Sequence, residues 1–275
     1  MDCRMPYIGV TGLTTEKEVS WLVWRLANCH RSKSDGTLKP GRCLVVGVLV
    51  SDKTMRGEEN RWPNRFPSVS QIASIFKTAF ETAEWVGGLM TICVAHYNTH
   101  DPDTLGAQLS ELHSACGRYN SGVQLNVRWP QHKQLEEYRQ GVPADHRVIL
   151  QLGSRAMDGL SPEQIGEKVA EYGDLITDVL VDPSGGKGLP FEPLSYSPVL
   201  DAILQATSGR IGLGYAGGLS SESAGALEAL HRRYPNISID AEGRLRDCND
   251  KLDLAKAIGY VETAISAIHN SRKTR

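Results

Sequence analysis

A chain of 275 residues, 40% hydrophobic and 23% charged, is long enough for one large buried core or at most two small domains. A formal net charge of −2 excludes the basic footprint of a nucleic-acid or anionic-membrane binder. The first residues lack the apolar run of a signal peptide, and no run is long enough to span a bilayer. The six cysteines show no CxxC spacing, so a cytoplasmic protein with free thiols and no zinc site is expected.

Taken in order, the chain alternates apolar runs with helical periodicities. Residues 7–12 form the first strand candidate, and Thr14 or Thr15 caps a helix with Val19, Leu22, Val23 and Leu26 on one face. Residues 43–50 are a near-continuous apolar run, as expected for a strand buried on both faces of a parallel sheet. A polar connection over 51–67 carries Lys53, Arg56, Arg61, Trp62 and Arg65, and Ser68 or Ser70 opens the next helix. Residues 89–95 form the third strand, ending at His96-Tyr97-Asn98. Residues 123–126 form the fourth and 148–152 the fifth. Ser161-Pro-Glu-Gln164 has the capping residue, the first-turn proline and the reciprocal Gln of a helix start. Residues 179–181, 211–215 and 237–240 complete the strands. Helices are expected over 198–206, from Ser220 or Ser221 to about Arg232, and over 252–268.

Eight strand-then-helix units imply parallel strands with helical crossovers, and eight within about 250 residues imply one (β/α)8 barrel over 1–275. An open doubly wound sheet is the alternative, but no G-x-G-x-x-G follows the first strand. The connections at 32–39 and 51–67 are long, and long loops on an active face change what binds.

In such barrels chemistry gathers at the carboxyl ends of the strands. Those ends offer Thr11, His96, Gln124, Asn126, Asp182 and Asp240, with Gln151, Arg155 and Glu242 beside them. Asp182 closes an apolar strand and enters Pro183-Ser-Gly-Gly-Lys-Gly188, a loop containing Gly186. It is a candidate acid–base group, with a cap or turn residue before Pro183 as the alternative. Gly217 and Gly218 before a serine-rich helix start form a candidate phosphate cradle or a plain capping turn. His96 titrates in a useful range or is a packed imidazole. His100, Asp101 and Asp103 read as a polar loop, so no metal site is expected.

Several of these pieces together resemble phosphoribosylanthranilate isomerase. The chain has Ile8-Gly-Val-Thr-Gly-Leu-Thr14, Asn64-Arg-Phe-Pro-Ser-Val-Ser-Gln71 and Val123-Gln-Leu125. It also has Leu180-Val-Asp-Pro-Ser-Gly-Gly-Lys-Gly-Leu-Pro-Phe191 and Ala216-Gly-Gly-Leu219. The resemblance implies a cofactor-free Amadori rearrangement of an aminoaldose phosphate, in which an acid opens the ribose ring and a base removes the C2 proton. It puts the acid on Asp182, the base position on Thr11, a substrate-binding Arg on Arg65 and the phosphate on Gly217, Gly218 and Gly243. Gln124, Asn126, Gly186 and Asp240 are then candidate substrate contacts, and His96 a substitute base.

The departures are specific. A thiol is expected where Thr11 stands, and an alcohol is far harder to deprotonate. The imidazole expected after Val-Gln-Leu is Asn126. The eighth-strand loop places Glu242 near the expected phosphate, where it would repel a dianion unless Arg244 or Arg246 offsets it. The expectation is therefore a divergent sugar-phosphate isomerase binding a small phosphorylated metabolite, or a non-catalytic barrel keeping such a ligand. The oligomeric state is not readable.

Overall fold

The computed structural model describes residues 5–184 and 192–273. Eight parallel strands close into a barrel in sequence order: β1 Tyr7–Thr11, β2 Cys43–Ser51, β3 Thr91–Asn98, β4 Gly122–Leu125, β5 Arg147–Gly153, β6 Asp178–Asp182, β7 Gly212–Ala216 and β8 Ser238–Ala241. Around them run α1 Glu16–His30, α2 Val69–Trp85, α3 Leu105–Cys116, α4 His132–Gln140, α5 Pro162–Glu171, α6 Ser197–Thr207, α7 Ala224–Arg233 and α8 Leu254–Lys273. The (β/α)8 expectation holds. The open sheet is excluded by the β1–β8 pairing, in which Gly9 stands opposite Asp240.

Local chemistry explains several boundaries. Thr15 accepts from the Glu18 N–H while the Glu18 carboxylate reaches back to the cap, so α1 starts on a complete capping box. Ser161 does the same for α5, with Pro162 in the first turn. Two short helical turns, Asp52–Met55 and Ser154–Met157, follow β2 and β5 directly and lack a sequence signal of useful length.

Apolar side chains fall into two cores because strand residues alternate between faces. One lies between barrel and helices. The other fills the barrel and includes Tyr7, Cys43, Val45, Ile92, Val94, Ile149 and Leu180. Below it, the buried Arg147 guanidinium lies 3.5 Å from Asp178 and over the Tyr7 ring. Above it lies a polar ring. The barrel interior is thus layered: an ion pair, an apolar filling, then a polar floor facing the carboxyl ends.

The two long connections end up on opposite sides. The 51–67 segment follows β2 and covers the carboxyl-end mouth. The 32–39 segment joins α1 to β2, at the amino end, where the Gly36 carbonyl accepts from the Met90 N–H just before β3. Only the first can touch a ligand at the mouth.

Candidate active site

The mouth holds a cavity of about 140 Å³. His96, Gln124, Gln151, Asp182 and Asp240 line its floor, Gly217, Gly218 and Gly243 one wall, and Trp62, Arg65 and Phe66 the 51–67 side. Parity explains the floor. Thr11, His96, Gln124, Gln151, Asp182 and Asp240 each occupy an inward-facing position on a different strand.

Two hydrogen-bonded groups make up that floor. In the first, the Thr11 hydroxyl donates to both Asp240 oxygens, at 2.9 and 3.1 Å, and lies 3.2 Å from His96 Nε2. Glycines clear the space. A methyl group on Gly47 would stand 2.2 Å from Thr11 Oγ1 and 2.9 Å from His96 Nε2, and one on Gly9 would stand 2.2 Å from an Asp240 oxygen. Burial pushes the Asp240 carboxyl up to about 8, helped by the charges of Glu242 and Asp182 and opposed by the Thr11 hydrogen bond. Burial also pulls the His96 imidazole down to about 3, so His96 is neutral at physiological pH.

In the second group, Asp182 Oδ1 accepts from the Ser184 N–H at 3.1 Å and from its hydroxyl at 2.7 Å. Asp182 Oδ2 accepts from Gln151 Nε2 at 2.8 Å, and Gln151 Oε1 accepts from Gln124 Nε2 at 3.0 Å. Gly217 has φ of +100°, and a side chain there would meet Ser184 and Asp182 below 3.0 Å. Glycine at 217 therefore lets the end of β7 pack directly against Asp182 and Ser184.

The rim is ionic. Arg65 grips Asp250 with two hydrogen bonds at 2.7 and 2.8 Å and reaches Glu242 Oε1 at 3.1 Å. Arg246 reaches the same oxygen at 3.2 Å. Asn64 Nδ2 donates to the Asn249 carbonyl at 2.9 Å, so the 51–67 segment is fastened across the mouth to the loop after β8. The Arg61 and Arg65 guanidiniums lie 4.8 and 4.9 Å from the Trp62 ring centre.

No family model and no curated protein matches the chain, but solved structures do. Monomers generated from the dimeric phosphoribosylanthranilate isomerase of Thermotoga maritima match at 13% identity and TM-score 0.55, over 94% of this chain and 98% of that one. The tryptophan synthase alpha subunit of Legionella pneumophila matches at 11% and 0.55, over 96% and 93%. A chitinase domain of Pyrococcus furiosus matches at 12% and 0.54, over 97% and 98%. The shared feature is the barrel. At these identities the likeness shows the fold of this chain.

The residues singled out from sequence take the following places. Thr11, His96 and Asp240 come together in one hydrogen-bonded group. Asp182 and Gln124 join a second through Gln151. Asn126 lines the same cavity. Arg65 lines it too, with its charge already engaged by Asp250 and Glu242. Of the two residues considered for offsetting Glu242, Arg246 does so, while Arg244 faces Glu222 at 3.8 Å. Gly186 lies outside the described residues. His100 leans on Asp52 at 3.4 Å, and among the described residues no cluster of ligating side chains could hold a metal ion. Cys93 and His96 point to opposite faces, with Cys93 in the outer core. Sequence reasoning missed the joining of Thr11 to Asp240 and the part Gln151 plays. Two signals were present: β1 and β8 become neighbours once the barrel closes, and glycine inside a strand marks a close approach, here at Gly9 and Gly47.

Proposed function

We propose that this protein is a divergent sugar-phosphate isomerase of the phosphoribosylanthranilate isomerase type, acting in the cavity at the barrel mouth. One observation carries the reading. Two carboxyl groups, Asp182 and Asp240, open on the same cavity in different surroundings. Asp182 accepts at both oxygens, from three donors. Asp240, held up to about 8 by burial, carries a proton near neutral pH. A proton donor and a proton acceptor on one floor are what an aldose–ketose rearrangement needs.

The proton balance reverses the roles the resemblance implies. Asp240 gives its proton to the ring oxygen as the C1–O bond breaks and the amine lone pair forms a C=N bond. Asp182 takes the C2 proton, the C–H electrons form C1=C2, and the C=N electrons return to nitrogen. The resulting enol tautomerises to the ketone. Thr11 is not the base. Its hydroxyl turns from Asp240 towards neutral His96 while Asp240 is protonated, and back when Asp240 is ionised, so the buried carboxylate is never left without a donor. The glycine wall of Gly217, Gly218 and Gly243 offers backbone to the phosphate.

A non-catalytic metabolite-binding barrel is the second reading. It is favoured by the rim, where Glu242 already occupies Arg65 and Arg246. The test is turnover of phosphoribosylanthranilate, generated in place and followed by anthranilate fluorescence, alongside a panel of aminoaldose and aldose phosphates. Turnover that falls at least ~100-fold in both Asp182→Asn and Asp240→Asn supports the isomerase. Calorimetric binding of a sugar phosphate without conversion favours the second reading. Full turnover by either variant refutes the acid–base pair.

A further inference from the structure

Three of the chain's five tryptophans stand on the outer face of one helix pair. Trp21 and Trp24 lie three apart on α1, and Trp85 is the last residue of α2. They are 42%, 42% and 77% exposed, while Leu22 and Val23 between the first two are fully buried. All three line one groove of about 360 Å³. Small side chains separate the indoles. Ser20, Thr78 and Thr82 line the groove as well, and the Thr82 hydroxyl reaches the Ser20 hydroxyl at 3.4 Å where the two helices meet.

Core packing does not account for these indoles. The inner face of α1 is already filled by Val19, Leu22, Val23 and Leu26, and that of α2 by Ile72, Ile75, Phe76 and Ala79. An outer face that met only water would be polar. Taking about 250 Å² for a whole indole side chain, the three leave roughly 400 Å² of ring surface open, which is the size at which an exposed apolar patch usually has a use.

We propose that this groove is the interface of a two-fold dimer, with Trp85 of each copy seated in the groove of the other. Area, shape and charge choose a second copy as the occupant. Two such patches pressed together cover roughly 800 Å² of indole, and the flanking residues of both helices bring the total into the ~1,200–2,000 Å² of a stable interface. The patch carries both a projecting ring at its end and a cleft beside it, which a self-complementary contact requires. The charges around it are interspersed, Glu16, Glu81 and Glu84 with Lys17 and Lys77. Like copies therefore meet no field of a single sign, and a nucleic acid or an anionic membrane finds no basic surface.

The interface lies away from the mouth. The helices run back against the strands, so Trp85, at the carboxyl end of α2, sits towards the amino end of the barrel. Dimerisation leaves both cavities open, and the proposal does not rest on their chemistry.

Sedimentation velocity of the full chain from about 1 to 100 μM tests it. Wild type should sediment as a dimer at the upper end. Trp85→Ala and Trp24→Ala, one on each helix, should each raise the dissociation constant at least ~30-fold, the loss expected of a central aromatic anchor. Far-UV circular dichroism checks that both variants fold. Phe80→Ala is the control. Phe80 is exposed on the same helix but packs on Tyr119 at 5.1 Å, outside the groove, so this variant should keep the dimer. A wild type that stays monomeric at ~100 μM overturns the proposal, and pelleting of that monomer with phosphatidylcholine vesicles gives the patch to a membrane surface instead. A dimer that the tryptophan variants leave intact, or that Phe80→Ala weakens equally, also overturns it. So does a mass that keeps growing with concentration, because a two-fold contact closes at two copies.

Discussion

Replacing Asp240 with Asn exposes the energetic cost of the buried carboxyl. In the unfolded chain an Asp ionises near 3.8, whereas in the fold this one is held up to about 8. The sign follows from the raised value. The contribution of the protonated carboxyl is fully present below about pH 4. It is lost progressively as pH rises, because the unfolded state gives up its proton first, and the loss is complete above about pH 8. At ~1.4 kcal/mol per unit, the three units between pH 5 and pH 8 correspond to roughly 4 kcal/mol. The amide in Asp240→Asn cannot ionise, and its oxygen still accepts from the Thr11 hydroxyl. The stability of the variant relative to wild type should therefore climb by roughly that amount from pH 5 to pH 8 and stay level beyond. Urea denaturation at unit pH intervals, followed by tryptophan fluorescence, measures it. A difference between the two proteins that is flat from pH 5 to pH 9 would refute the reasoning, because Asp240 would then be ionised in the fold throughout.

Four further outcomes are expected. Gly47→Ala puts a methyl group 2.2 Å from Thr11 Oγ1 and should cost about 2–5 kcal/mol in thermal denaturation through overpacking and a broken hydrogen-bond group. Gly225→Ala, in α7 with nothing within 4 Å of the new carbon, should be neutral or stabilising by up to ~1 kcal/mol. Arg65→Ala removes the fastening to Asp250 and Glu242, so trypsin should cut the 51–67 segment roughly tenfold faster, seen as fragments ending at Arg56 or Arg61. Arg147→Met leaves Asp178 buried without its cation and should cost about 3–5 kcal/mol in urea denaturation, most of it recovered when Asp178→Asn is added.

The sequence carried the barrel plainly because every layer of it leaves a local mark. The unbroken apolar run of β2 needs both faces buried, and the capping boxes at Thr15 and Ser161 are complete within four residues. The floor of the site leaves fainter marks. Asp182 was visible as a charge closing a buried strand, and His96 as an imidazole at a strand end. The bond from Thr11 to Asp240 spans 229 positions, and no motif or spacing links the two residues. The same holds for Arg65, whose pairing with Asp250 crosses 185 positions. A loop arginine looks available for a ligand until the loop after β8 is seen to hold it. Only the glycines of β1 and β2 hinted that a crowded group lay between the strands, and that hint is read through the closed ring of eight.

The apolar filling between the Arg147–Asp178 pair and the polar floor acts as a bulkhead. It sets a mostly apolar layer between the two ends of the barrel, broken by the Tyr7 hydroxyl, so the open route for protons to Asp182 and Asp240 is the mouth. The traffic of the site is then governed by the segment that Arg65 and Asn64 fasten over that mouth. Ionic strength, which loosens surface pairs and leaves buried ones nearly untouched, becomes a control on the upper half of the barrel alone.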